Sequence, residues 1–147
     1  MALITKLGLD DVYKALKGSF REIRARSVRL RTAAAAGSVS FTTVREFYGA
    51  LYQQIAYCDT MIGKFGGAVL QTYAREQEAS TTYAPGTEYT AMKNAANAVL
   101  AHVATALPAN SAHTVANGVV SEPAFTTTQT ATLRGLLDTL IGTLDAP

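Results

Sequence analysis

A seam of apolar residues at alternating four- and three-residue steps runs through positions 41–78: Val44, Tyr48, Leu51, Ile55, Cys58, Ile62, Phe65 and Val69. That spacing returns to one side of an α-helix every two turns, so the stretch predicts a helix gripped along a single stripe by its neighbours. Thr43 with Glu46 three residues on reads as a capping box at its start. Gly63, Gly66 and Gly67 interrupt it, and each glycine is about 1 kcal/mol less favourable than alanine inside a helix. A break near 66–67 is therefore expected, with AVLQTYAREQE continuing as a short helix or a bent last third.

Three more segments carry the same rhythm. Residues 10–36 predict an amphipathic helix with Asp10 as N-cap, the stripe Val12, Leu16, Phe20, Ile23, Ser27, Leu30 and Ala34, and Gly37 at its end. Past the turn signal Pro85-Gly86, residues 87–107 place Tyr89, Met92, Ala96, Val99, Val103 and Leu107 on one face, closed by Pro108. Thr126 and Gln129 form a second capping box ahead of residues 127–144, where Leu133, Leu136, Leu137, Leu140, Ile141 and Leu144 draw a leucine stripe. Between the last two helices, residues 113–125 contain Asn117-Gly118 flanked by Val115 and by Val119-Val120. Asn and Gly tolerate the positive φ that a two-residue type I′ turn demands at both central positions, so a β-hairpin is expected there. Two strands alone are marginal in water, so this hairpin must lie on the helices or extend a sheet given by another copy or a partner. The fold class is mainly α: an antiparallel helical bundle with a short β-hairpin between its last two helices and an N-terminal basic amphipathic helix. The expected organisation is a basic helix or arm over 1–37 and the bundle over 38–147.

Charge separates the first segment from the rest. Residues 1–31 hold eight Lys/Arg and three Asp/Glu, whereas the remaining residues hold five and eight. Lys14, Lys17, Arg21, Arg24 and Arg31 recur at helical spacing away from the apolar stripe, and Arg26 and Arg29 broaden the row. Such a row suits nucleic-acid phosphates, an acidic neighbouring subunit, or simple solvation of the helix. No aromatic residues alternate with the cations, which argues against a stacking platform for single strands. Over the whole chain charged residues stand at 16%, below the roughly 25% of ordinary soluble domains, and a thinly charged surface suits coverage by partners.

The chemistry-bearing residues are scattered. Phosphate-loop, dinucleotide, zinc-protease, C-x-x-C and nucleophile-elbow patterns are all missing from the sequence. Glu76 and Glu78 are two apart and would point to different helix faces, which makes a poor acid–base pair. Cys58, the sole cysteine, sits on the apolar seam and reads as a small buried hydrophobe. His102 and His113 lack the i±3 or i±4 ligands of a metal site. The start MALITKLGLDD does not resemble a secretory leader, and no apolar run approaches the roughly 18 residues of a membrane span, so a chain kept in a reducing compartment is expected. No catalytic residue, cofactor, metal, membrane contact or small-molecule substrate is expected.

From Tyr48 on, the run YGALYQQIAYCDTMIGKF, then QTYAREQ, a polar loop, TEYTAMKNAANAVLAHVATALP, a Gly-containing hairpin and FTTTQTATLRGLLDTLIGTL resembles a group of small helical structural proteins of tailed bacteriophage virions. Glu88 with Tyr89 and Met92, Leu107-Pro108, and the pattern Leu133, Leu137, Leu140, Ile141 carry the likeness, which covers about two-thirds of the chain; the tryptophan usual in the group's third helix is missing. The resemblance implies a non-enzymatic, multi-copy virion component bound to other virion proteins and to copies of itself at the capsid, neck or tail. The competing readings are a nucleic-acid-binding or packaging protein that uses Lys14, Lys17, Arg21, Arg24, Arg26, Arg29 and Arg31, and an assembly chaperone or adaptor. In the virion reading Val115, Asn117, Gly118, Val119 and Val120 are the hairpin contact to partners.

Overall fold

The computed structural model describes residues 6–66, 69–70, 72–73, 76, 87–109, 114–121 and 123–145. The chain is mainly α: helices α1 (Lys6–Ala34), α2 (Phe41–Phe65), α3 (Thr87–Ala109) and α4 (Thr127–Asp145) surround one core. Each helix packs on two others in a ring, α1 on α2 and α4, and α3 likewise on α2 and α4. Cross-contacts give the directions. The C-terminal part of α2 meets the start of α3 through Asp59 and Tyr89, and the end of α3 meets the start of α4 through His102 and Gln129. Arg31 near the end of α1 reaches Asp138 of α4, and Phe41 at the start of α2 hydrogen-bonds beside the entry to α4. The helices therefore run up, down, up and down, an arrangement in which every neighbour is antiparallel.

The stripes read from the spacing form the interior. Leu16, Phe20 and Ile23 of α1 are each 1% exposed, and Val44, Cys58, Ala96, Val99, Val103, Leu133, Leu137 and Leu140 are fully buried. Of residues 1–37, expected as an arm beside the bundle, α1 is no appendage in this packing, because its stripe belongs to the same core cluster as the stripes of the other three helices. The burial along α2 and the stretch after it departs from the expected seam at two residues. Val69 is exposed, and Phe47, off the a/d series, is buried instead. The cause of the first is Gly66, which caps α2 at φ 89°: the break resets the phase of the chain, so Val69 no longer continues the stripe. Beyond the break, residues 69, 70, 72, 73 and 76 are helical, and Leu70 and Tyr73 are buried.

The caps are partly displaced from where the sequence puts them. Asp10 lies inside α1, which begins at Lys6, so it is not an N-cap; it pairs with Lys14 at 2.9 Å and accepts a hydrogen bond from the Tyr73 hydroxyl at 2.9 Å. Ser40, not Thr43, caps α2, its Oγ accepting the Thr43 N–H at 3.2 Å. With Phe41 already helical, Glu46 lies too far into the helix to close a box. At α4 the box forms as spaced: the Thr126 N–H donates to Gln129 Oε1 at 3.0 Å and the Gln129 N–H to Thr126 Oγ1 at 3.1 Å. Pro108 falls within α3 rather than after it, in the last turn, where its missing N–H costs a single bond near the helix end.

The end of the bundle where α1 stops and α4 starts is tied by a short strap. The Phe41 N–H donates to Pro123 O at 2.8 Å, the Phe125 N–H to Val39 O at 2.9 Å, and Ser38 Oγ to Phe125 O at 2.6 Å. Next to it, β1 (Thr114–Ala116) and β2 (Val119–Ser121) pair antiparallel, with Ala116 opposite Val119. The two connecting residues, Asn117 and Gly118, have φ 54° and 78°, the positive values that a type I′ connection needs.

Candidate interaction surfaces

The cations of α1 do not form one free row. Lys14 is engaged by Asp10 on its own helix, and Lys17 Nζ stands 5.9 Å from the centre of the Tyr13 ring. Arg26 Nε lies 2.7 Å from Glu22 Oε1, an ion pair that falls outside hydrogen-bond alignment. Arg31 leaves the helix altogether and donates from Nε to Asp138 Oδ1 of α4 at 2.7 Å. Exposed pairs of this kind contribute about 0–1 kcal/mol each, so they trim the positive field more than they stabilise the bundle. Arg21 and Arg29 are exposed and make no ion pair among the described residues. Arg24 is half-buried at the flank. Of this basic row, Arg21 and Arg29 are thus the exposed cations that carry no ion pair among the described residues.

The hairpin contrasts with this face in every respect. Val115 is 70% exposed and Val119 64% exposed. In the observed register Val115 is paired with Val120 and Val119 with Ala116, so the two exposed valines lie on opposite sides of the ribbon. Neither side is covered by the helices at these positions. Asn117 and Gly118 at the tip are exposed too, and Val120 is placed by its pairing alone. β1 and β2 form a two-stranded sheet, so among the described residues each strand has one unpaired edge, and no charged residue occupies either strand.

The outward faces of α3 and α4 are nearly uncharged. The exposed positions of α3 from Thr90 to Thr105 carry only Thr, Ala and Asn, and the exposed positions of α4 carry one charge, Asp138. The titratable groups that are held tightly are internal ties. Tyr89 donates to Asp59 Oδ1 at 2.5 Å, and Lys93 Nζ lies 2.8 Å from Asp59 Oδ2, which joins α2 to α3. Burial first, and the Asp59 contact second, push the Tyr89 hydroxyl above its ordinary range. Burial likewise pushes the Cys58 thiol up to about 12, against a smaller lowering by a hydrogen bond with Ser19. A thiol of that kind stays protonated and unreactive near neutrality. His102 Nε2 lies 3.0 Å from Gln129 O and edge-on to Phe125, a contact between helix ends. His113 lies outside the described residues, as does Glu78. Among the described residues no group of three His, Cys, Asp or Glu could hold a metal ion, and no helix is long and apolar enough to cross a membrane.

One arrangement has no signal in the linear sequence. Arg26, Arg29, Leu30 and Ala33 of α1 face Thr43, Glu46 and Phe47 of α2 across a cleft of about 150 Å³. Only the antiparallel register of the two helices brings these residues together. Comparison of the chain with protein-family profiles, with curated proteins and with solved structures finds no match.

Proposed function

We propose that this protein is a non-enzymatic structural component of a tailed bacteriophage virion, associated with capsid, neck or tail, and that it acts by binding other virion proteins and copies of itself. The observation that carries the assembly half of this reading is the hairpin: exposed Val115 and Val119 on both sides of a ribbon with open, uncharged edges. Water-exposed strand edges without a charge to block them are templates for strand addition by another chain. The charge-poor exteriors of α3 and α4 fit the same use, since charged residues are depleted at the centres of protein interfaces. The virion half rests on the resemblance carried by Glu88, Tyr89, Met92, Leu107-Pro108 and the leucine pattern of α4. The N-terminal basic helix then docks on an acidic neighbour through its outer arc.

Quantitative mass spectrometry of purified particles from the phage that encodes the chain tests the reading. A fixed, stoichiometric copy number is expected. Presence in infected cells with absence from the particles would overturn it in favour of an assembly chaperone or adaptor.

A nucleic-acid-binding or packaging role is the second reading, favoured by Arg21 and Arg29, which are exposed and not ion-paired among the described residues. In that case duplex affinity falls steeply between about 50 and 200 mM salt and nearly vanishes when Lys17, Arg21 and Arg24 are changed to Glu. Affinity unmoved by that reversal excludes α1 as a DNA surface.

A further inference from the structure

We infer that the cleft between α1 and α2 is a binding site for a small monocarboxylate with an apolar body about the size of one ring. This goes beyond the assembly role and does not depend on it.

The cleft has an apolar floor and a polar rim. Leu30 is 4% exposed and Phe47 5%, and Ala33 extends the floor toward the open side. A space of about 150 Å³ is the size that holds one benzene ring. On the α1 side the rim carries two guanidinium groups one helical turn apart, Arg26 and Arg29. Arg29 has no ion-pair or hydrogen-bond partner among the described residues, and Arg26 is engaged through Nε by Glu22, which leaves its terminal amino groups as further donors. The planar guanidinium fork matches a carboxylate in two parallel hydrogen bonds, and an apolar pocket beside a few placed polar groups is the usual build of a small-ligand site.

On the α2 side, Thr43 Oγ1 accepts from the Ser40 hydroxyl at 2.8 Å. Its own proton is therefore available for an acceptor in the cleft. Glu46 stands on the same rim, exposed and without an ion pair among the described residues. A carboxylate there repels a second negative charge, so the site selects a monoanion over a dianion such as phosphate.

Two-dimensional amide NMR of the full chain with phenylacetate tests the site, with 2-phenylethanol and inorganic phosphate as controls. Phenylacetate is expected to shift amides confined to 26–33 and 43–47, with a Kd on the order of 1 mM for a ligand of this size. Arg29→Gln is expected to weaken binding about tenfold, as loss of a charged bidentate contact does. Ala33→Phe fills the open side and should abolish it. Both changes are at exposed helix positions, and unchanged amide spectra away from the cleft verify that the variants fold. Glu46→Gln should let phosphate shift the same amides. The inference is overturned if phenylacetate causes no localised shifts, if 2-phenylethanol binds equally well, if phosphate alone reproduces the shifts in the unmodified chain, or if Arg29→Gln leaves the affinity unchanged.

Discussion

Two side chains show what individual contacts contribute. Thr130, in the first turn of α4, is fully buried, and its hydroxyl has no hydrogen-bond partner among the described residues. A buried hydroxyl that gives up water without replacing it is unfavourable by about 1–3 kcal/mol, and valine has nearly the same shape. Thr130→Val is therefore expected to raise stability by about 1 kcal/mol, read as a higher urea midpoint at unchanged slope; a lower midpoint would mean that the hydroxyl is satisfied in solution. Asp10 is the opposite case. The Lys14 ammonium first, and the Tyr73 hydroxyl second, hold its carboxyl below the ordinary 3.8. The unfolded chain then takes up the proton before the folded one, so this contact favours folding above about pH 3.8 and is lost as pH falls through the lower folded value. Tyr73→Phe or Lys14→Gln should move the carboxyl back toward 3.8 in a carbon-detected NMR titration. An unmoved value would show that Tyr73 does not hold the segment after α2 against α1 in solution.

At the scale of the elements, α4 combines a leucine stripe with two weak helix formers, Gly135 and Gly142. Both are exposed, and a Cβ added at either meets nothing within 4 Å. Alanine at each removes backbone entropy from the unfolded chain and introduces no clash, so each change is expected to stabilise by about 0.5–1 kcal/mol, seen as an additive rise in thermal midpoint. Loss of stability in either variant would place an unrecognised contact on that face. The four stripes were legible because each repeats over about three turns or more, long enough for period to outweigh the choice of any one residue. The short-range details were less so. Ser40 and Thr43 are both competent caps, and only the strap that pulls Phe41 onto Pro123 sets the start of α2 at the earlier one. Val69 kept the spacing of the seam, but periodicity carries no record of the change in phase at Gly66.

For the whole molecule, what the sequence left unread is what depends on register between distant segments. Arg31 and Asp138 are 107 positions apart, and the cleft unites α1 with α2 only once they lie antiparallel. The basic row was visible as a pattern, yet its partial neutralisation by Asp10, Glu22 and Asp138 required the packed bundle. The same holds for the rank of α1. A composition shift at residue 31 suggests an attached arm, whereas the ring of contacts makes α1 one wall of a four-walled core. These two descriptions predict different behaviour when the first 37 residues are removed. An arm can be deleted with little effect on the remainder. A wall cannot, because its loss bares the inner faces of α2 and α4, and the apolar surface returned to water is worth about 25 cal/mol per Å². Phe20→Ala alone should cost about 3–5 kcal/mol, a large part of the 5–15 kcal/mol that holds a typical domain together. Residues 38–147 expressed without α1 are therefore expected to keep helical far-ultraviolet dichroism, lose the near-ultraviolet signal of packed tyrosines, bind a hydrophobic dye and melt without a cooperative transition. A cooperative melt matching that of the full chain would instead show that α1 is dispensable to the bundle and free to serve its partner.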